Sequence, residues 1–234
     1  MEEPDGRGRS LVTWDVHVLP SSEYHATTAA EIAARWPAEG TVVVTGGRTA
    51  AVIYEHLATT GLDAAGSQVF FSDERCVPPD DPESNYRLVD QRLFSKIARP
   101  FVHRMAGEDD PEDAAARYQE EIAAPVAAGF DLMLLGLGGD AHVAGVFPDS
   151  PLLEEEFKLC AAVDRPDGLR GLTLTPRALS SAKEIMIITT GAEKADALQR
   201  ALSPDEFPIA CPARILADHP NVQVWVDETA AALL

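Results

Sequence analysis

Asp131-Leu132-Met133-Leu134-Leu135-Gly136-Leu137-Gly138-Gly139-Asp140-Ala141-His142-Val143-Ala144-Gly145-Val146-Phe147-Pro148-Asp149-Ser150-Pro151 is the stretch on which the reading of this chain turns. Leu132 to Leu135 is an apolar run of the length of a buried strand, bounded by glycine. It empties into Gly136-Leu137-Gly138-Gly139, where the backbone is free to turn sharply and approach a ligand. A carboxylate and an imidazole, Asp140 and His142, follow at once. A strand that delivers a glycine loop, an acid and a base to one end of a sheet is a plausible catalytic station.

Outward from this stretch, short apolar segments alternate with helical ones. Leu11–Leu19, Thr41–Thr45, Gln68–Phe71, Phe101–Met105, Lys158–Val163, Gly171–Thr175, Glu184–Thr189 and Val222–Val226 read as strands. Helices are predicted over Tyr24–Trp36, beyond Gly46-Gly47-Arg48-Thr49 to near Gly61, and from Ser84-Asn85 to about Ile97. A further helix runs from Asp110-Pro111 to Gly129, with Asp as cap and Pro at the first helical position. Thr190-Gly191-Ala192-Glu193 fits a capping box for a helix through Leu202, and Asp227 is placed to cap a C-terminal helix. The alternation predicts one α/β domain over residues 1–234, a mainly parallel, Rossmann-like sheet with helices on both faces. The N-terminal helix and the segment after Pro151 are read as additions to that core.

The chain has 19 basic and 38 acidic residues, a formal net charge of -19. That balance speaks against a nucleic-acid surface and against anionic lipid. It leaves room for a small anionic substrate, because a distant field is screened within roughly 10 Å and a few focused cations prevail locally. No apolar segment follows the charges of Met1–Ser10 as in a signal peptide, and none approaches a membrane span. Cys76, Cys160 and Cys211 are odd in number and widely spaced, which reads as reduced thiols in a cytoplasmic protein.

Four polar loops follow apolar strands directly: Thr45-Gly46-Gly47-Arg48, Ser72-Asp73-Glu74-Arg75, Gly138-Gly139-Asp140-Ala141-His142 and Thr190-Gly191-Ala192-Glu193-Lys194. In a parallel sheet such loops share one edge, where ligands bind. Amide groups at helix starts suit an anion. Taken singly, Gly46-Gly47 is equally a plain turn, Asp73-Glu74-Arg75 a surface charge cluster, His142 a structural histidine and Lys194 a solvated lysine. Together they offer two cations, amide donors and a His beside a carboxylate, an inventory for a phosphorylated substrate with a carbonyl to attack. Gly136-x-Gly138-x-x-Ala141 formally satisfies the dinucleotide fingerprint, but Pro148 and Pro151 interrupt the helix it needs. G-x-S-x-G, H-E-x-x-H and P-loop patterns are absent, and nothing calls for a metal or a cofactor.

The chain resembles the 6-phosphogluconolactonase family over nearly its full length. The resemblance is carried by Thr45-Gly46-Gly47-Arg48-Thr49, by Phe71-Ser72-Asp73-Glu74-Arg75-Cys76-Val77-Pro78 with Ser84-Asn85, and by Leu135–His142 ending in Phe147-Pro148. Leu172-Thr173-Leu174-Thr175, Thr190–Lys194 and the tail from Pro212-Ala213-Arg214 to Trp225–Glu228 add to it. The family usually has Gly at Ala141, a small hydroxyl at Arg48, and an Arg at Gly171, for which Arg170 is expected to stand in. The resemblance implies metal-free hydrolysis of 6-phospho-D-glucono-1,5-lactone to 6-phospho-D-gluconate, in the oxidative pentose phosphate pathway. It implies His142 as general base with Asp140 orienting it. Thr45, Gly46, Gly47, Arg48, Asp73, Arg75, Gly138, Arg170 and Lys194 are the implied substrate contacts. The alternatives are a glucosamine-6-phosphate deaminase-like enzyme, whose relatives continue with Phe-Asn-Glu-Pro and carry Asp-Glu-Tyr, or a sugar-phosphate-binding regulator without catalysis.

Overall fold

The computed structural model describes residues 14–234. The start of the expected Leu11–Leu19 strand, and the segment read as lacking a signal peptide, lie outside the described residues. In chain order the first elements are β1 (Asp15–Leu19), α1 (Tyr24–Arg35), β2 (Gly40–Val44), α2 (Arg48–Leu57), β3 (Ser67–Phe71) and β4 (Asp73–Arg75). Then come α3 (Asn85–Arg92), β5 (Phe101–Val102), α4 (Pro111–Ala128) and β6 (Leu132–Gly136). The remainder is β7 (Cys160–Asp164), β8 (Arg170–Leu174), α5 (Pro176–Leu179), β9 (Ile185–Thr189), α6 (Ala195–Leu202) and β10 (Val222–Asp227).

Seven strands form one sheet in the order β1-β10-β9-β6-β2-β3-β5, with every pairing parallel. Successive side chains on a strand point to opposite faces, so each strand feeds two cores. Val42, Val44, Leu132 and Leu134 pack under α1, α2 and α3 with Ile32, Ile53, Leu57 and Val89. Val43, Met133 and Leu135 pack on the other face with Tyr118 and Ile122 of α4 and Leu198 of α6. Strands buried on both faces read as continuous apolar runs, which is why Leu132–Leu135 shows no alternation. Chain order runs outward from β2 in both directions, through β3 to β5 and through β6, β9 and β10. The boundary between β2 and β6 is therefore the topological switch point at which a crevice opens beyond the strand ends.

Three expectations change. Asp73-Glu74-Arg75 is not a loop but β4, which pairs antiparallel with β8, itself paired with β7, in a separate three-stranded sheet. The chain leaves the main sheet at Ser72, whose amide still bonds Val44 while its carbonyl accepts from Leu174. The expected Phe101–Met105 strand pairs only over Phe101–Val102. No helix follows Asp227: residues 228–233 are turns, with Asp227 Oδ1 shared between the amides of Ala230 and Gly191. Among the described residues, no helix is long and apolar enough to cross a membrane.

Candidate active site

A cleft of about 410 Å³ opens over the carboxyl ends of β2, β6 and β9. Thr45, Gly46, Gly47, Arg48, Asp73, Arg75, Gly138, His142 and Lys194 all line it, so segments far apart in sequence converge there.

The β2–α2 turn is held from below by Tyr54, one turn and more into α2. Its hydroxyl donates to Thr45 O at 2.8 Å and accepts from Thr45 N at 3.2 Å. Gly47 precedes α2 at φ 97°, where a side chain would be strained, and its α-carbon faces open space. The turn therefore presents bare backbone at the amino end of a ten-residue helix, a favourable place for an anion.

The loop after β6 carries the acid and the base. His142 Nδ1 meets Asp140 Oδ1 at 2.5 Å, and the His142 amide donates to the same oxygen at 3.2 Å. Partial burial works to raise the Asp140 carboxyl, but these bonds and the facing imidazole hold it down to about 2. The loop is tied by Gly138 N to His142 O (2.9 Å) and docked by Gly145 N to Thr173 Oγ1 (2.9 Å) and Ala213 N to Ala141 O (3.0 Å). Ala141 sits at φ 66°, in the left-handed region that glycine enters at no steric cost. Phe147 closes the loop with its ring 4.7 Å from that of His142.

The β4 corner is built around Glu74. This buried carboxylate accepts from the amides of Arg75 (2.8 Å), Asn85 (2.7 Å) and Tyr86 (2.8 Å) and from Ser84 Oγ (3.0 Å), pinning the start of α3 to β4. Burial pushes its carboxyl above the usual range, against the pull of those bonds. Asn85 then reaches over Gly46, where a Cβ would fall 1.8 Å from its Oδ1. That oxygen accepts from Arg75 Nη1 at 2.9 Å, and Nδ2 donates to Asp73 O at 2.9 Å.

Lys194 enters from the loop after β9. Burial pushes its ammonium below the usual lysine range, against Glu193 and with Arg48. Thr190 does not form the expected capping box. Its hydroxyl meets Thr49 Oγ1 at 3.0 Å, while Glu193 faces the exposed Arg48 at 3.6 Å, so both bridge to the neighbouring loop instead. Lys194 closes a 3-10 turn before α6.

Arg170 is a correction. It lies outside the cleft, exposed, paired with Glu112 at 2.9 Å and Asp164 at 3.4 Å. Strand alternation puts Arg170 on the face opposite Gly171, and at the open end of β8 its side chain reaches solvent rather than the cleft. The arginine that reaches the cleft is Arg165, from the β7–β8 turn, which sequence reasoning missed; Asp164-Arg165-Pro166-Asp167-Gly168 reads as an ordinary turn. Asn85 had a signal, since Ser84-Asn85 was expected to open a helix, yet its contact with Gly46 is purely tertiary. His25 of α1 also lines the cleft, and burial together with His56 pushes its imidazole below the usual range. Among the described residues, no group of three or more His, Cys, Asp or Glu is arranged to hold a metal ion.

The family model of glucosamine-6-phosphate isomerases/6-phosphogluconolactonase matches residues 21–225. A 6-phosphogluconolactonase of Synechocystis is 34% identical over 197 residues, covering 80% of this chain and 81% of its own. The solved structure of a 6-phosphogluconolactonase from Thermotoga maritima is similar with a TM-score of 0.80 at 28% identity, covering 92% of this chain and 99% of its own. A monomeric glucosamine-6-phosphate deaminase shares the fold with a TM-score of 0.84 at 22% identity, over 94% of this chain and 100% of its own. With the family model spanning most of the sequence and the acid, base and cations gathered at one sheet edge, this chain belongs to the glucosamine-6-phosphate isomerase/6-phosphogluconolactonase family.

Proposed function

We propose that this protein hydrolyses 6-phospho-D-glucono-1,5-lactone to 6-phospho-D-gluconate, with His142 as the base that activates water. The observation that carries the reading is the His142–Asp140 contact at 2.5 Å on the wall of a cleft that also holds Arg75 and Lys194. With Nδ1–H donated to Asp140, Nε2 is the nitrogen left to accept a proton, the orienting logic of an acid–base–nucleophile relay. Water attacks the lactone carbon as His142 takes its proton. The tetrahedral oxyanion is met by loop amides, typically the largest catalytic contribution. Collapse breaks the bond to the ring oxygen, and the imidazolium returns its proton to that oxygen as it leaves.

The phosphate is assigned to the Gly46-Gly47 backbone, Arg75 and Lys194, with Thr45, Arg48, Asp73 and Gly138 lining the same cleft. A cytoplasmic setting accords with three unpaired cysteines. The test is a coupled assay of lactone opening at slightly acidic pH, where the spontaneous reaction is slower. Wild-type turnover is expected, with kcat reduced about a hundredfold or more in His142→Ala. Wild-type rates in that variant would remove His142 as the base. Ammonia release from glucosamine-6-phosphate, without lactone opening, would replace the reading with the deaminase one.

A further inference from the structure

Arg165 stands in the turn between β7 and β8, yet its side chain is only 10% exposed and forms part of the cleft wall. Three features aim it inward. Asp167 Oδ2 accepts from both Nε (3.2 Å) and Nη2 (3.0 Å), holding one edge of the guanidinium. The Phe147 ring supports its face, with Cζ 5.5 Å from the ring centre. Gly171 of β8 leaves the path open: a Cβ there would lie 3.0 Å from Arg165 Cδ, 3.4 Å from Cγ and 3.0 Å from Glu74 O, so the stem runs through space a larger residue would claim. Nη1 then faces Asp73 at 3.8 Å, too far for a hydrogen bond.

Arg75 is in a similar condition on the other side of Asp73. Its Nη1 donates to Glu83 O (2.6 Å) and Asn85 Oδ1 (2.9 Å), while Nε is buried and has no hydrogen-bond partner among the described residues. Asp73 does not complete either arginine, being engaged by Ser72 Oγ (2.9 Å) and Asn85 Nδ2 (3.1 Å). Two pre-oriented guanidiniums thus keep donors in hand in the cleft that Gly46 and the bare amino end of α2 also line. Arg75 Nε is a buried donor without a partner, which is costly, and Arg165 Nη1 meets only Asp73 at 3.8 Å; a ligand with several acceptor oxygens would engage both guanidiniums. The forked guanidinium matches phosphate oxygens in geometry and charge.

We propose that Arg165 binds the substrate's phosphate together with Arg75, and that the absence of a side chain at Gly171 is what admits it to the cleft. The phosphate is that of the sugar lactone, so the inference rests on the proposed function for its substrate but not for its chemistry. The experiment compares wild type, Arg165→Ala, Arg165→Lys and Gly171→Ala by steady-state lactone kinetics and by calorimetric titration with inorganic phosphate. Arg165→Ala is expected to raise KM roughly tenfold or more, to change kcat by less than KM, and to weaken phosphate binding by a similar factor. Arg165→Lys, which keeps the charge, should fall between the two. Gly171→Ala, which displaces the stem while keeping the arginine, should shift KM and phosphate affinity in the same direction. A loss confined to kcat, or unchanged KM and phosphate affinity, overturns the proposal. If Arg165→Ala does not fold, Arg165→Lys decides by the same two readouts. Should wild type fail to open the lactone, the functional reading falls, and weakened or unchanged phosphate binding in the variants still decides for or against Arg165.

Discussion

Gly138 and His142 occupy each other's space: a Cβ on Gly138 would lie 2.1 Å from Nδ1 and 2.3 Å from Cε1 of the His142 ring, and 2.6 Å from Asp140 Oδ1. Gly138 is glycine because the acid–base pair stands where its side chain would be, a demand separate from loop flexibility. Gly138→Ala is therefore expected to drive the ring from Asp140. Kcat should fall about a hundredfold, comparable to loss of the base itself. Lactone assays beside a thermal melt check this. A melt close to wild type with full activity would show that the ring has another place to work from.

The Asp140–His142 contact also gives stability a pH dependence. The Asp140 carboxyl is held at about 2, below its ordinary 3.8, so its contribution is complete above the ordinary value and fades as the pH falls toward 2. Asp140→Asn should be less stable than wild type at pH 5 to 6, with the gap narrowing progressively below pH 4. Denaturant melts of both proteins across that range measure the difference. A gap that stays constant on acidification would contradict the assignment.

Glu74 holds the β4–α3 corner together without lining the cleft. Glu74→Ala strands three amides and a hydroxyl in a buried place, at a cost of about 3 kcal/mol or more. Arg75 and Asn85 then lose their support, so KM for the lactone should rise as well. A urea melt and a KM determination check the two effects. Glu74→Gln, which keeps one acceptor, should lie between wild type and the alanine variant in both.

Ala141 carries a fully buried methyl at φ 66°. Ala141→Gly relieves about 1 kcal/mol of backbone strain and forfeits a buried methyl of similar worth, so stability should change little. Ala141→Val places a branched side chain at positive φ in a packed site and should cost about 2 kcal/mol or more. Melting temperatures of the two variants test this. A strongly stabilised glycine variant would mean that the strain outweighs the packing.

How far the site could be read in advance varied with the kind of residue. The glycine loops after β2 and β6, and the acid–base pair two residues apart, were legible because turn chemistry and strand ends leave local marks. Asp73-Glu74-Arg75 was misread as a loop because its pairing partner β8 lies nearly a hundred residues on, and long-range pairing leaves no local signature. Arg170 was expected at the cleft, and Arg165 went unconsidered because its turn carries no mark of the cleft. Which of two nearby arginines turns inward depends on the face of β8, on Asp167 and on the gap at Gly171.

The sequence by itself determined the layered α/β plan, the strand-end loops and the chemistry available in them, since burial on both sheet faces and helix capping are written in neighbouring residues. Only the tertiary structure decided which side chains share the cleft, that Asn85 fills the space over Gly46, and that Gly138 yields its space to His142. Those choices depend on excluded volume between segments distant in the chain, and volume is contested only once the chain has folded.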